Sequence, residues 1–166
     1  NPVDLSQLLR VGAEHGGQSV RARYGLKEEK LLISVGRLAP EKNFSWLLEV
    51  FRGLLEQSSH VGTKLMIVGD GPESSNLRQL TNVLGLTGSV IFTGMVPPRE
   101  VPEYLAAGDL FVMSSVTEVK PLALLEAQAA GLPVVAVSIP GAGETITHGV
   151  NGLLVPPEQE AFQNAV

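Results

Sequence analysis

Five short, nearly continuous apolar runs constrain this chain most: Leu31–Val35, Lys64–Val68 and residues 89–93, 109–113 and 133–137, with a weaker sixth at 152–155. Runs of this length without apolar/polar alternation suit strands buried on both faces of a parallel sheet. Helical spacing fills several of the gaps: Phe44, Leu47, Leu48, Phe51 and Leu55 after the first run, Leu77, Leu80 and Leu84 after the second, Leu122, Leu125 and Ala129 after the fourth. Alternating strands and helices demand crossover connections, and right-handed crossovers give a doubly wound α/β domain with a parallel sheet of about six strands. In such a sheet ligands bind beyond the carboxyl ends of the strands, so the residues that follow each run are the candidates for function.

Composition narrows the chemistry. The chain has 166 residues, 44% of them hydrophobic, which suffices for one domain with a sizeable core. It has no cysteine, which excludes disulfides and thiolate metal sites and fits a reducing compartment. His15, His60 and His148 lie far apart in sequence and show no metal-ligand spacing, so no metal centre is expected. A net charge of -5 without a basic stripe argues against nucleic acid as a partner. No apolar run is long enough to span a membrane and no leader opens the chain, so a soluble, cytoplasmic protein is expected.

Gly36 and the turn after it carry Arg37 and Lys42, with Asn43 expected as the N-cap of the next helix. The two cations can converge on a diphosphate, or both can be solvated with Glu41 neutralising Lys42. Gly69, Asp70, Gly71 and Pro72 nearly spell a dinucleotide-binding fingerprint, yet Ser74 replaces its third glycine and no acid follows the next strand, which leaves a tight turn. Gly94 to Pro98 form a loop whose main chain can read a flat base, or serve as a proline-stiffened connection.

After the fourth run, Glu118 and Glu126 stand eight positions apart. The chain's 14 glutamates yield about one such pair by chance, and Glu41 with Glu49 is a second, so the spacing alone carries nothing. Position separates the pairs, since Glu118 lies just beyond a strand and Glu126 about a turn into a helix. With Pro121 at the first helical position, Lys120 becomes the expected N-cap, and lysine cannot accept a hydrogen bond from the free amides of Leu122 and Ala123. An anion can supply the acceptor, as can water or the Thr117 hydroxyl. Gly131 is expected to end this helix, residues 141–145 to form a small-residue loop running into a short helix, and Asn151 with Gly152 to make a turn at positive φ.

Taken in order, GRLAPEKN, GDGP, FTGMV, the stretch from Ser115 to Glu126 with EAQAAGLPVVA behind it, GAGE and NGLLV resemble the carboxyl-terminal domain of a GT-B glycosyltransferase of the GT4 group (glycosyl transferases group 1). The resemblance implies a Rossmann-like nucleotide-sugar-binding domain over residues 26–166, cut at its carboxyl end, preceded by an interdomain connection over 1–25 that includes Asp4. It implies transfer with retention of anomeric configuration, a UDP-, GDP- or ADP-sugar as donor substrate, and no cofactor or metal. Arg37 and Lys42 would hold the diphosphate, Met95 and Val96 would meet the base through their backbone, Glu126 would bond the ribose and Glu118 would face the transferred sugar. Gly36, Lys120, Pro121 and Leu122 would also border the donor. The partner would be an amino-terminal acceptor-binding domain of the same chain, through which the protein would attach peripherally to a membrane. Pro121 departs from a position where many members have glycine, and Lys120 from one often aromatic or Gln. Two alternatives stand beside this reading: a non-catalytic nucleotide-binding or interaction module of the same fold, favoured by Pro121, and a nicotinamide-dependent oxidoreductase.

Overall fold

The computed structural model describes residues 17–118 and 121–166; Asp4, His15 and Lys120 lie outside them. Six strands, β1 (Leu31–Val35), β2 (Lys64–Val68), β3 (Val90–Phe92), β4 (Leu110–Met113), β5 (Val134–Val137) and β6 (Leu153–Val155), form one sheet in the order β3-β2-β1-β4-β5-β6. All five pairings are parallel, with Ile33 opposite Met66 on one side of β1 and opposite Phe111 on the other. The order reverses between β1 and β4, so the two loops leaving those strands diverge to opposite faces and open a crevice.

Both faces are covered, which is why the strands read as continuous apolar runs. Leu32, Leu65, Ile67, Val112, Val135 and Val137 point to one face, where they meet α2 (Phe44–Leu55), α3 (Ser74–Val83) and α7 (Gln159–Ala165). Leu31, Ile33, Met66, Val68, Phe111 and Ala136 point to the other, under α1 (Gln18–Arg23), α4 (Val101–Ala107), α5 (Leu122–Ala129) and α6 (Pro140–Gly143). The first layer is pinned by α2, whose Leu47, Leu48, Phe51 and Leu54 are buried. Trp46 meets Phe162 of α7 edge to face at 5.3 Å. In the second layer Val20 of α1 is buried, and the Arg21 guanidinium donates to the carbonyls of Ala107 at 2.7 Å and Glu29 at 2.5 Å.

Several local expectations are corrected. Asn43 precedes α2 as expected but in the left-handed region, φ 52°, with no side-chain bond to the helix amides, so it bends the chain rather than capping it. Helix α4 was not expected between the third and fourth runs; Pro102 sits in its first turn, where a missing N–H costs no helical bond. Helix α5 starts at Leu122 with Pro121 itself as the residue before it. Residues 141–143, expected in a loop that runs into a helix starting near Glu144 and Thr145, instead belong to the helical turn α6, which ends before Glu144 and buries Gly141 and Ala142. In the following turn the positive φ belongs to Gly149, not to Asn151 or Gly152. Asn151 instead accepts from the Thr147 amide at 2.7 Å. Gly131, at φ 78°, follows α5 as expected.

Candidate functional site

Two cavities lie side by side at the carboxyl ends of the central strands, and Val35 and Gly36 line both. The first, of about 640 Å³, opens between β1 and β2 and is bordered by Arg37, Asp70, Gly71, Met95 and Val96. The second, of about 260 Å³, lies at the reversal point between β1 and β4, bordered by Lys42, Ser114, Glu118, Pro121, Leu122 and Ala123. Eight of the ten expected site residues therefore sit on one crevice: Gly36, Arg37, Lys42, Met95, Val96, Glu118, Pro121 and Leu122. Glu126 lines neither cavity, and Lys120 is outside the described residues.

The glycines of the β2 turn explain how the first cavity is shaped. A Cβ on Gly69, whose φ is 132°, would stand 2.2 Å from the carbonyl oxygen of Gly36, and one on Gly71 would stand 2.4 Å from that of Leu38. The β1 and β2 ladder continues into these turns, since the Gly36 amide donates to Val68 and the Leu38 amide to Asp70, each at 3.0 Å. Thus Gly69 and Gly71 allow two loops to run in contact and hold Arg37 at the rim. Asp70 is turned into its own loop, where a carboxylate oxygen accepts from the Gly71 amide at 2.8 Å. Across the cavity the Thr93 hydroxyl donates to the Gly94 carbonyl at 2.9 Å and accepts from the Gly69 amide at 3.3 Å, tying the Met95 loop to the β2 turn.

The second cavity holds opposite charges. The Lys42 ammonium donates to the Glu118 carboxylate, with side-chain exposures of only 24% and 13%. Of the two expected readings of Lys42, neutralisation by Glu41 is not what the structure shows: the partner is Glu118, 76 positions away. Arg37 is exposed and, among the described residues, has no ion-pair partner. At the start of α5 the first described amides with helical acceptors are those of Leu124 and Leu125, both to Pro121. Among the described residues the amides of Leu122 and Ala123 meet no acceptor and no side chain caps the helix. The start of α5 and a sequestered cation thus border one small cavity, an arrangement suited to an anion.

Glu126 lies one turn along α5 from Leu122 and therefore on the same helical side. It is half-buried, and burial holds its carboxyl above the ordinary glutamate range. A carboxylate held out of water in this way gains most from hydroxyl donors that would replace the lost hydration. Sequence reasoning missed Ser34 and Ser114, both almost fully buried and lining the second cavity. The available signal was a polar residue at or just past the end of an apolar run. A third cavity, of about 550 Å³, opens near the amino ends of β4 and β5 between Pro133 and Asn151, and no charged residue lines it.

Comparison with known proteins decides the family. The sequence profile of the glycosyl transferases group 1 matches residues 18–166. The chain belongs to that family. The group 1 chain is 35% identical over 86% of its length to the alpha-monoglucosyldiacylglycerol synthase of Streptococcus pneumoniae, covering 32% of that protein. It is 36% identical over 82% of its length to the GDP-mannose-dependent alpha-(1-6)-phosphatidylinositol monomannoside mannosyltransferase of Mycobacterium tuberculosis, covering 37% of it. Among solved structures, HepE of Anabaena in complex with UDP-glucose superimposes with a TM-score of 0.82 at 27% identity, over 94% of this chain and 43% of that one. The group 1 chain thus spans about a third of the length of these two curated relatives and less than half of HepE, and has the GT-B type of Rossmann-like fold. The nicotinamide-oxidoreductase alternative falls with this assignment, and the glycine-rich β2 turn is explained by loop packing.

Proposed function

We propose that this chain is the donor-binding half of a retaining glycosyltransferase of the GT4 group, which moves a sugar from a nucleotide-sugar to an acceptor hydroxyl. The observation that carries the reading is the second cavity, where Lys42, Glu118 and the first residues of α5, Leu122 and Ala123, meet at the reversal point of the sheet. In this reading Lys42, Arg37 and the start of α5 hold the diphosphate and stabilise its charge as it leaves. The base lies in the larger cavity against the main chain of Met95 and Val96, and Glu126 accepts from the ribose hydroxyls. Glu118 faces the sugar, orients its hydroxyls and stabilises the positive charge that develops at the anomeric carbon.

Pairing of Lys42 with Glu118 in the free protein keeps both charges compensated until the donor arrives. The diphosphate then takes the lysine and the sugar hydroxyls take the carboxylate. Attack from the face the diphosphate leaves retains configuration without a protein nucleophile, and the side-chain cations make a metal unnecessary. UDP-glucose bound to HepE supports a nucleotide-sugar as donor class. We place acceptor recognition, and with it peripheral attachment to a membrane, in a preceding domain of the same cytoplasmic protein.

Titration calorimetry of UDP-, GDP- and ADP-sugars tests the assignment. One donor binds saturably to wild type, and Arg37→Ala and Glu126→Ala each lose about tenfold or more in affinity; unchanged binding in both variants contradicts the residue assignment. In transfer assays on the full-length protein, Glu118→Gln lowers kcat by about 10²-fold. Equal rates for Glu118→Gln and wild type would remove Glu118 from the chemistry, and no transfer by wild type would leave a binding module without turnover.

A further inference from the structure

We propose that Ser114 is a positioning residue for Lys42: it fixes the loop from which the lysine reaches the donor diphosphate. The inference rests on the donor-site reading above and adds a residue to it. Lys42 occupies the last position of a short turn, Pro40–Lys42, just before the left-handed Asn43. That bend takes the Lys42 carbonyl out of the α2 ladder, whose first acceptor is the Asn43 carbonyl, bonded by the Leu47 amide at 3.2 Å. The Lys42 carbonyl therefore needs a partner from elsewhere in a place screened from water. The Ser114 hydroxyl supplies it, donating at 2.8 Å from a residue only 1% exposed.

A second strut runs beside the first, from the Val116 amide to the Glu41 carbonyl at 3.1 Å. Both struts come from the segment that leaves β4 and leads to Glu118. The brace therefore sets the lysine loop and the glutamate loop relative to one another across the crevice. Further out, the Lys42 stem lies over Gly36, with its carbons 3.5 to 3.9 Å from where a Cβ on that glycine would stand. Lys42 is thus held at its carbonyl by Ser114, along its stem by Gly36 and at its ammonium by Glu118. When the donor takes the ammonium, the Glu118 contact is given up and only the first two remain. The Ser114 bond then determines how much rotamer and loop freedom must be lost on binding.

A hydroxyl that merely stabilised the fold would affect every variant alike, so the test is a double-mutant cycle on the full-length protein. UDP, GDP and ADP are titrated calorimetrically into wild type, and the tightest binder is carried through Ser114→Ala, Lys42→Ala and the double variant, each checked for an unchanged circular dichroism spectrum and for its Tm. The expected result is a three- to tenfold weaker Kd in Ser114→Ala, the range for loss of about one buried hydrogen bond, and no further weakening when Ser114→Ala is added to Lys42→Ala. An unaltered Kd in Ser114→Ala, or the same fold-loss in both backgrounds, overturns the positioning role while leaving the donor site standing. If Ser114→Ala does not fold, Ser114→Cys, which keeps the volume and weakens the donor, takes its place under the same criteria. Failure of wild type to bind any of the three diphosphates overturns the donor-site reading and this inference with it.

Discussion

Asn43 is the only non-glycine residue with positive φ among the described residues, and it sits between the turn that carries Lys42 and the helix that anchors that turn in the core. Asparagine tolerates this region, whereas a β-branched side chain there costs about 1–2 kcal/mol. Asn43→Val is expected to lower stability by that amount in urea denaturation, and Asn43→Gly to leave it nearly unchanged. Glu126 makes a prediction with a sign. Its carboxyl is raised by burial, so the folded protein takes up a proton at higher pH than the unfolded chain does, and stability falls as pH rises through the folded value. Glu126→Gln therefore raises Tm at neutral pH, and the gain disappears below the ordinary glutamate range. Ribose hydroxyls donating to the carboxylate would pull its pKa back down, so donor affinity should weaken as pH drops through the raised value; a flat affinity across that window argues against a contact. None of this was readable from the sequence, because a left-handed φ and a burial-shifted carboxyl depend on what packs around them. The positions themselves were legible, since Lys42, Glu118 and Glu126 stand after strands or early in a helix.

At the level of elements, strands buried on both faces announce themselves, and β1 and β2 fall on the same residues as their apolar runs. Helices with a regular apolar stripe were equally visible, α2 above all. Its Leu48 is fully buried against the sheet, and Leu48→Ala should cost about 2–5 kcal/mol by the loss of contacts and the cavity left behind. Helix α4 escaped because it is seven residues long and carries a proline in its first turn. Its burial of Tyr104 and Leu105 comes from tertiary packing more than from a periodic signal. Residues 140–143 misled for the opposite reason: two glycines and an alanine suggest a loop, and the helical turn they form is settled by burial under the second layer. Gly71 shows how an element boundary shapes the site. A Cβ there meets backbone, which cannot swing aside, so Gly71→Ala should destabilise by about 1–3 kcal/mol and move the loop that bears Arg37. Urea denaturation together with donor titration would show both effects; full stability with intact binding would refute the close-packing explanation.

The whole molecule is a parallel sheet with its reversal point between β1 and β4, and the charged cavity lies at that point. No helix among the described residues is long and apolar enough to cross a membrane. A crevice of this kind has one wall here, formed by the loops after β1 to β4, and in the proposed enzyme the acceptor domain supplies the other. The 166-residue chain is accordingly expected to bind nucleoside diphosphate weakly and to transfer no sugar by itself. The most direct test of the donor site is an amide chemical-shift titration of the 15N-labelled chain with UDP, GDP and ADP. Saturable shifts are expected for one of them, concentrated at Gly36 to Lys42, Met95 to Val96 and Leu122 to Ala123. Shifts confined to the cavity between Pro133 and Asn151, or none with any of the three, would contradict the donor-site assignment.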